Sequence, residues 1–179
     1  MVLVLLADGF EEAEALVPVD ILRRCGIEVK TVSIMETKLV TGTHNIAIMA
    51  DELSADFNAG DFSAVLLPGG LPGADHLENS AYVKELLISA QKNSKLICAI
   101  CAAPKVLGLH GLLNGKKAVC YPGFEDKLIG AETLYDGVIV DGNIITSRAV
   151  GKSFDFAFAI AKALGKEKEA EQVKKAILY

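Results

Sequence analysis

The sequence predicts an α/β domain built on a mostly parallel sheet with helices on both faces. Apolar runs of strand length alternate with amphipathic stretches of helix length along the 179 residues. Several runs, Val2–Leu6 and Ala64–Leu67 among them, are apolar at every position, as strands covered on both faces are. Asp141-Gly142, set between two apolar runs, is a strong signal for a two-residue hairpin. The length suits one domain with a sizeable core, and no linker, repeat or low-complexity stretch divides it, so residues 1–179 are read as one domain.

The elements follow in order. Val2–Leu6 is a buried first strand. Phe10 to Arg24 is a helix with Ala13, Leu16, Val17, Ile21 and Leu22 as its apolar stripe and Gly26 as its stop signal. Pro18 lies inside it and removes one helix bond, leaving the Glu14 carbonyl without its usual partner. Val29–Ile34 is a strand, Ile46–Met49 a short strand of unassigned pairing, and Ala64–Leu67 a buried strand running into Pro68-Gly69-Gly70. Ser80 caps a helix over Ala81–Lys92. Leu96–Ile100 and Ala102–His110 are the next strand and helix. Val138–Val140 and Ile144–Thr146 flank the hairpin turn, and Ser153–Leu164 and Glu167–Ile177 are closing helices. Ligands of such sheets bind beyond the carboxyl ends of the strands. The loops Asp8–Glu14, Pro68–Ala74 and Cys101–Pro104 fit that position.

Composition removes several function classes. Apolar residues make up 51 % and charged residues 23 %, with a formal net charge of -5. Lys and Arg never cluster beyond adjacent pairs, so neither a nucleic-acid footprint nor a polybasic membrane patch is expected. No apolar run reaches the roughly 18 residues of a membrane helix. The apolar N-terminus reads as a strand and not as a leader, which makes a cytoplasmic protein with reduced cysteines the expectation. No cofactor and no metal are expected, because no ligand pairs have suitable spacing.

The segment Leu96-Ile-Cys-Ala-Ile-Cys-Ala-Ala-Pro-Lys105 carries the chemistry. A strand ends, one residue turns sharply and a helix begins, as in a nucleophile elbow with Cys101 at its apex. The tight turn needs small residues two positions before and after the apex, and Ala99 and Ala103 supply them. Pro104 suits a helix start, where no N–H donor is needed. Helix-start amides favour a thiolate, so the sulfur is expected below its ordinary pKa of about 8.5. The N–H groups of Ala102 and Gly70 can form an oxyanion hole, and Gly69-Gly70 lets the backbone come close. The competing reading makes Cys101 a small buried hydrophobe. Cys98-x-x-Cys101 also admits a redox dithiol, although Cys98 falls inside the strand and its side chain reads as core. Cys25 and Cys120 read as structural. Glu11 and Glu12 read as helix-start charges. Glu14, if it meets the sulfur, must be protonated, since an ionised carboxylate there raises the thiol pKa. His44, His76 and His110 form no triad and read as surface residues; Asp75 and Glu78 read as starting or solvating a helix.

Taken together, Gly9-Phe-Glu-Glu-Ala-Glu-Ala-Leu-Val-Pro-Val-Asp20, Leu67-Pro-Gly-Gly70, Ala99-Ile-Cys-Ala-Ala-Pro104 and Thr146-Ser-Arg148 with Gly151 and Phe154-Asp-Phe156 resemble the ThiJ/PfpI superfamily, in its protein-deglycase branch. The likeness spans nearly the whole chain. It implies a flavodoxin-like three-layer sandwich, a homodimer, Cys101 as a reactive and oxidation-prone cysteine, Glu14 as its protonated partner, and Gly70 and Ala102 as oxyanion donors. The implied activity is glyoxalase or deglycase action on small reactive carbonyls such as methylglyoxal. The alternative is a redox-sensing stress chaperone switched by a cysteine sulfinate, and a thiazole monophosphate synthesis label also circulates in the superfamily. Two departures matter. Ala102 stands where the peptidase branch has a histidine, which argues against peptidase activity. Tyr121 stands where the deglycase branch often has a histidine, and a tyrosine, which ordinarily ionises near pH ~10, is no base at neutral pH. His44 occupies the place of an arginine that faces the partner's site, and Arg24 is a further accessory candidate.

Overall fold

The computed structural model describes residues 1–179. Its central sheet is formed by β1 (Val2–Leu6), β2 (Val29–Ser33), β5 (Glu52–Leu53), β6 (Ala64–Leu67), β7 (Leu96–Ile100), β10 (Val138–Asp141) and β11 (Ile144–Ser147). The strand order is β10-β11-β7-β6-β1-β2-β5, and every neighbour pair is parallel except the β10–β11 hairpin. The small ribbons β3 (Leu39–Thr41) with β4 (Ala47–Met49) and β8 (Lys117–Ala118) with β9 (Glu132–Thr133) lie outside it.

Strand side chains alternate between two cores because successive residues point to opposite faces. Val2, Val4, Leu6, Cys98 and Ile100 join α1 (Glu12–Arg24), α5 (Ser153–Ala163) and α6 (Glu167–Ala176) on one face. Leu3, Leu5, Ile97 and Ala99 join α2 (Gly73–Asn79), α3 (Ala81–Lys92) and α4 (Pro104–Leu109) on the other. This is the three-layer α/β sandwich expected from the alternation of elements. Ser80 caps α3 through its hydroxyl, which accepts from the Val83 N–H at 3.4 Å. Gly26 follows α1 at φ +72°, a conformation glycine adopts without a Cβ clash.

Two helices differ from the sequence reading. The stripe of α1 buried against the sheet runs through Ala15, Val19 and Leu22, while Leu16 is exposed. The helix after β7 begins at Pro104 and not at Ala102, so residues 101–103 form a turn of their own. Chain order moves from β1 to β2 on one side and then to β6 on the other. The carboxyl ends of β1 and β6 therefore flank a topological switch point, and β7 lies next to it.

Candidate active site

Cys101 follows the last residue of β7 and has φ +64°, a left-handed conformation that costs a non-glycine residue about 1–3 kcal/mol. Two backbone bonds hold it there: its N–H donates to the Ser147 carbonyl at 2.9 Å, and its carbonyl accepts from the Tyr121 N–H at 2.8 Å. Ala99 and Ala103 are fully buried beside it, as a tight elbow needs. The N–H groups of Ala102 and Gly70 face the sulfur and favour its anion. Gly70 sits at φ +86°, which only glycine adopts readily.

Glu14 reaches the same sulfur from the first turns of α1 and is only 1 % exposed. Glu11 accepts from the Glu14 N–H at 2.6 Å and so caps that helix. The Gly69 N–H donates to Glu14 Oε2 at 3.0 Å, and the Glu11 N–H donates to the Gly69 carbonyl at 2.9 Å. A Cβ on Gly69 would lie 2.5 Å from Glu14 Oε2 and 2.7 Å from Cys101 Cβ, so only glycine lets carboxyl and sulfur meet. The Val150 N–H also bonds the Glu14 carboxyl, a role the sequence did not show although Val150 lies within the Thr146–Gly151 motif.

Burial first, and then the Glu11 charge, push Glu14 up to about 7; the Cys101, Gly69 and Val150 hydrogen bonds pull the other way. Beside an ionised Glu14, the Cys101 thiol is pushed up to about 12, by burial first and by the Glu14 charge and hydrogen bond next. The Ala102 and Gly70 amides oppose this without reversing it. The sequence expectation of a lowered thiol counted the amides alone. Two groups this close do not both ionise near neutrality, so the pair loses one proton near pH 7 and holds the second into alkaline solution.

The remaining candidates fall around or away from this centre. Tyr121 is an immediate neighbour through its backbone, and its side chain is exposed. The exposed His44 ring places Nδ1 2.7 Å from Glu12 Oε2, and the His44 N–H donates to Glu12 Oε1 at 2.7 Å. That carboxylate holds the His44 pKa above its ordinary value. Within this chain His44 thus serves Glu12 and not Cys101. Glu11, Glu12 and His44 are the grouping that can present three metal-ligating atoms, all within 4.8 Å of one another; Glu11 is engaged in helix capping and Glu12 in the His44 pair. Arg24 is a correction. It closes the opposite end of α1, about 15 Å of helix from Glu14, and pairs with Asp20 at 2.7 Å. His110 also departs from a surface reading: its Nε2 is buried without a partner, and burial lowers its pKa. Cys25, Cys98 and Cys120 are buried free thiols; burial raises Cys98 well above its ordinary value and Cys120 to about 11.

A model of the DJ-1/PfpI family matches residues 1–163. The chain belongs to the DJ-1/PfpI family. Among its relatives, the Parkinson disease protein 7 homolog of Danio rerio is 41 % identical over 176 residues, covering 96 % of this chain and 93 % of that one. Protein dj-1beta of Drosophila melanogaster is 38 % identical over 178 residues, covering 98 % and 95 %. The chain spans only 40 % of protein DJ-1 homolog B of Arabidopsis thaliana, at 39 % identity. The solved structure of oxidized Toxoplasma gondii DJ-1 superposes with a TM-score of 0.95 at 35 % identity, covering 99 % of this chain and 97 % of that one. The DJ-1 fold is thus the flavodoxin-like sandwich seen here, and no helix of this chain is long and apolar enough to cross a membrane.

Proposed function

We propose that this DJ-1/PfpI protein is a cysteine-dependent enzyme acting on small reactive carbonyls such as methylglyoxal, a glyoxalase or deglycase by reaction class. One observation carries the reading: the Cys101 sulfur lies between the Gly70 and Ala102 amides, which favour its anion, and a buried carboxyl that titrates near neutrality. This chemistry requires the singly charged pair to keep its proton on Glu14 and its charge on sulfur, against the pull of burial and of an ionised Glu14 on the Cys101 thiol. The Glu11 charge favours this arrangement, because it opposes a second carboxylate at Glu14.

The sulfur adds to the aldehyde carbon to give a hemithioacetal, and the two amides hold the new oxyanion. Glu14 gives its proton to that oxyanion and, now a carboxylate poised near pH 7, moves the C–H proton of the same carbon to the neighbouring carbonyl carbon. Water then cleaves the lactoyl thioester to lactate and the free thiol. One water is consumed, and the substrate is isomerised and hydrated with no external oxidant. The family habit of dimerising makes a homodimer the expected assembly, checked by light scattering. The deciding experiment is methylglyoxal turnover by the pure protein beside Cys101→Ser; a serine variant that keeps the rate removes the assignment.

A second reading is a redox-sensing chaperone, and the oxidized state of a DJ-1 relative from Toxoplasma gondii favours it. The thiolate would take one oxygen from each of two peroxide molecules, releasing two waters and leaving a sulfinate held by the same amides and by Glu14. It predicts a mass gain of two oxygens at Cys101 under mild peroxide, arrested at one oxygen in Glu14→Leu, with client protection changing alongside. Oxidation spread evenly over all four cysteines would rule it out.

A further inference from the structure

The two amides at the sulfur belong to different loops. The β6–β7 register ends at Leu67↔Ala99, so the sheet does not fix the separation of Gly70 and Ala102, each three residues further on. Just beyond both loops lies a charge cluster in which a buried lysine meets two acids at the surface. Lys105, in the first turn of α4, is 8 % exposed. Its ammonium pairs with Asp75 and, at 2.6 Å, with Glu78, both on α2. Burial works against this charge, and the two acids outweigh burial and keep the lysine protonated. Lysines are rarely buried, and ion pairs to solvent-exposed acids contribute little, so stability alone is a weak reason for this one.

Short links join the cluster to the amides. The Ala74 N–H donates to the Gly70 carbonyl at 2.9 Å, and the Lys105 N–H donates to the Ala102 carbonyl at 3.4 Å. A closed ring therefore runs from the sulfur through Gly70 and α2 to Asp75 and Glu78, across to Lys105, and back through Ala102. We infer that Lys105, with Asp75 and Glu78, is a positioning set that holds the Gly70 and Ala102 amides at the spacing the Cys101 anion needs. This rests on the reading that those amides serve the reacting sulfur. The other titratable groups around the cluster are His110 and Lys84, at the Glu78 end.

The test is iodoacetamide alkylation of Cys101 across pH in Asp75→Asn/Glu78→Gln, with folding checked by near-ultraviolet circular dichroism. Through-space charge and positioning predict opposite signs. Removing two negative charges would by itself ease sulfur ionisation and speed alkylation. Loosening the amides slows it, by about tenfold at neutral pH, a fraction of the loss when an oxyanion donor is removed outright. Slower alkylation with a raised midpoint supports the inference; an unchanged or faster profile overturns it. If the double variant does not fold, Asp75→Asn alone leaves Glu78 on Lys105 and must show a smaller slowing, with no slowing counting against the set. Alkylation needs no carbonyl substrate, so wild-type protein without methylglyoxal turnover refutes the enzyme reading and leaves this result standing.

Discussion

Glu14 and Cys101 meet as a buried acid hydrogen-bonded to a thiol, one from the start of α1 and the other from the end of β7. Backbone amides favour the anion at each: Gly69, which donates to the carboxyl at 3.0 Å, and Val150 at Glu14; Gly70 and Ala102 at the sulfur. One charge is thus well solvated on either atom, and two are not. The predictions below follow from that arrangement.

Glu14→Gln keeps the shape and removes the acid. Methylglyoxal turnover by this variant is expected to fall about 10²- to 10⁴-fold, the usual worth of a positioned general acid–base. Steady-state kinetics check this, and a rate within twofold of wild type would contradict the proton-shuttle role.

The same substitution tests the pH dependence of stability. The Glu14–Cys101 pair gives up its first proton near pH 7 when folded, whereas the unfolded chain gives up the Glu14 proton near 4.5. A raised folded pKa gives stability that is fully present below the unfolded value and is lost as pH climbs through the folded one. Relative to Glu14→Gln, the wild type should therefore lose about 3 kcal/mol between pH 4.5 and 7 and little beyond. Urea unfolding of both proteins across that range checks it.

Gly69→Ala places a methyl group against both partners at once. Overpacking of this kind costs about 1–3 kcal/mol, and parting the pair should slow Cys101 alkylation more than any surface substitution does. Thermal unfolding together with alkylation rates reads both effects.

Tyr121→His installs a side chain that titrates near neutrality on the residue whose backbone N–H bonds the Cys101 carbonyl. Turnover is expected to rise severalfold, while Tyr121→Phe leaves it unchanged. A large loss in the phenylalanine variant would give the tyrosine hydroxyl a role that its exposed position does not suggest.

Much of this was legible in the sequence because burial writes itself as composition. Val2–Leu6, Ala64–Leu67 and Leu96–Ile100 are apolar throughout and appear as strands with those bounds. Asp141-Gly142 marked the hairpin, and the small residues around Cys101 marked the elbow. The short ribbons β3–β4 and β8–β9 and the edge strand β5 were not all legible, because strands of two or three half-exposed residues carry little periodicity. Helix α2 begins with Gly73-Ala74-Asp75 and shows no apolar stripe. Nothing in the sequence singles out Lys105, since only the fold brings Asp75 and Glu78 to it. Arg24 was misplaced because a helix start and its end are close in sequence but about 15 Å apart along the axis. The rise of the Cys101 thiol beside an ionised Glu14 was missed because helix-start amides can be counted from sequence, whereas the desolvation that opposes them cannot.

The pH profile of Cys101 alkylation in the wild-type protein reaches the centre of the account. If the first proton lost from the pair leaves its charge on sulfur, the rate rises with a midpoint near pH 7 and levels off. A rate that stays low through neutrality and climbs only toward pH 12 would put that charge on Glu14 and contradict the mechanism.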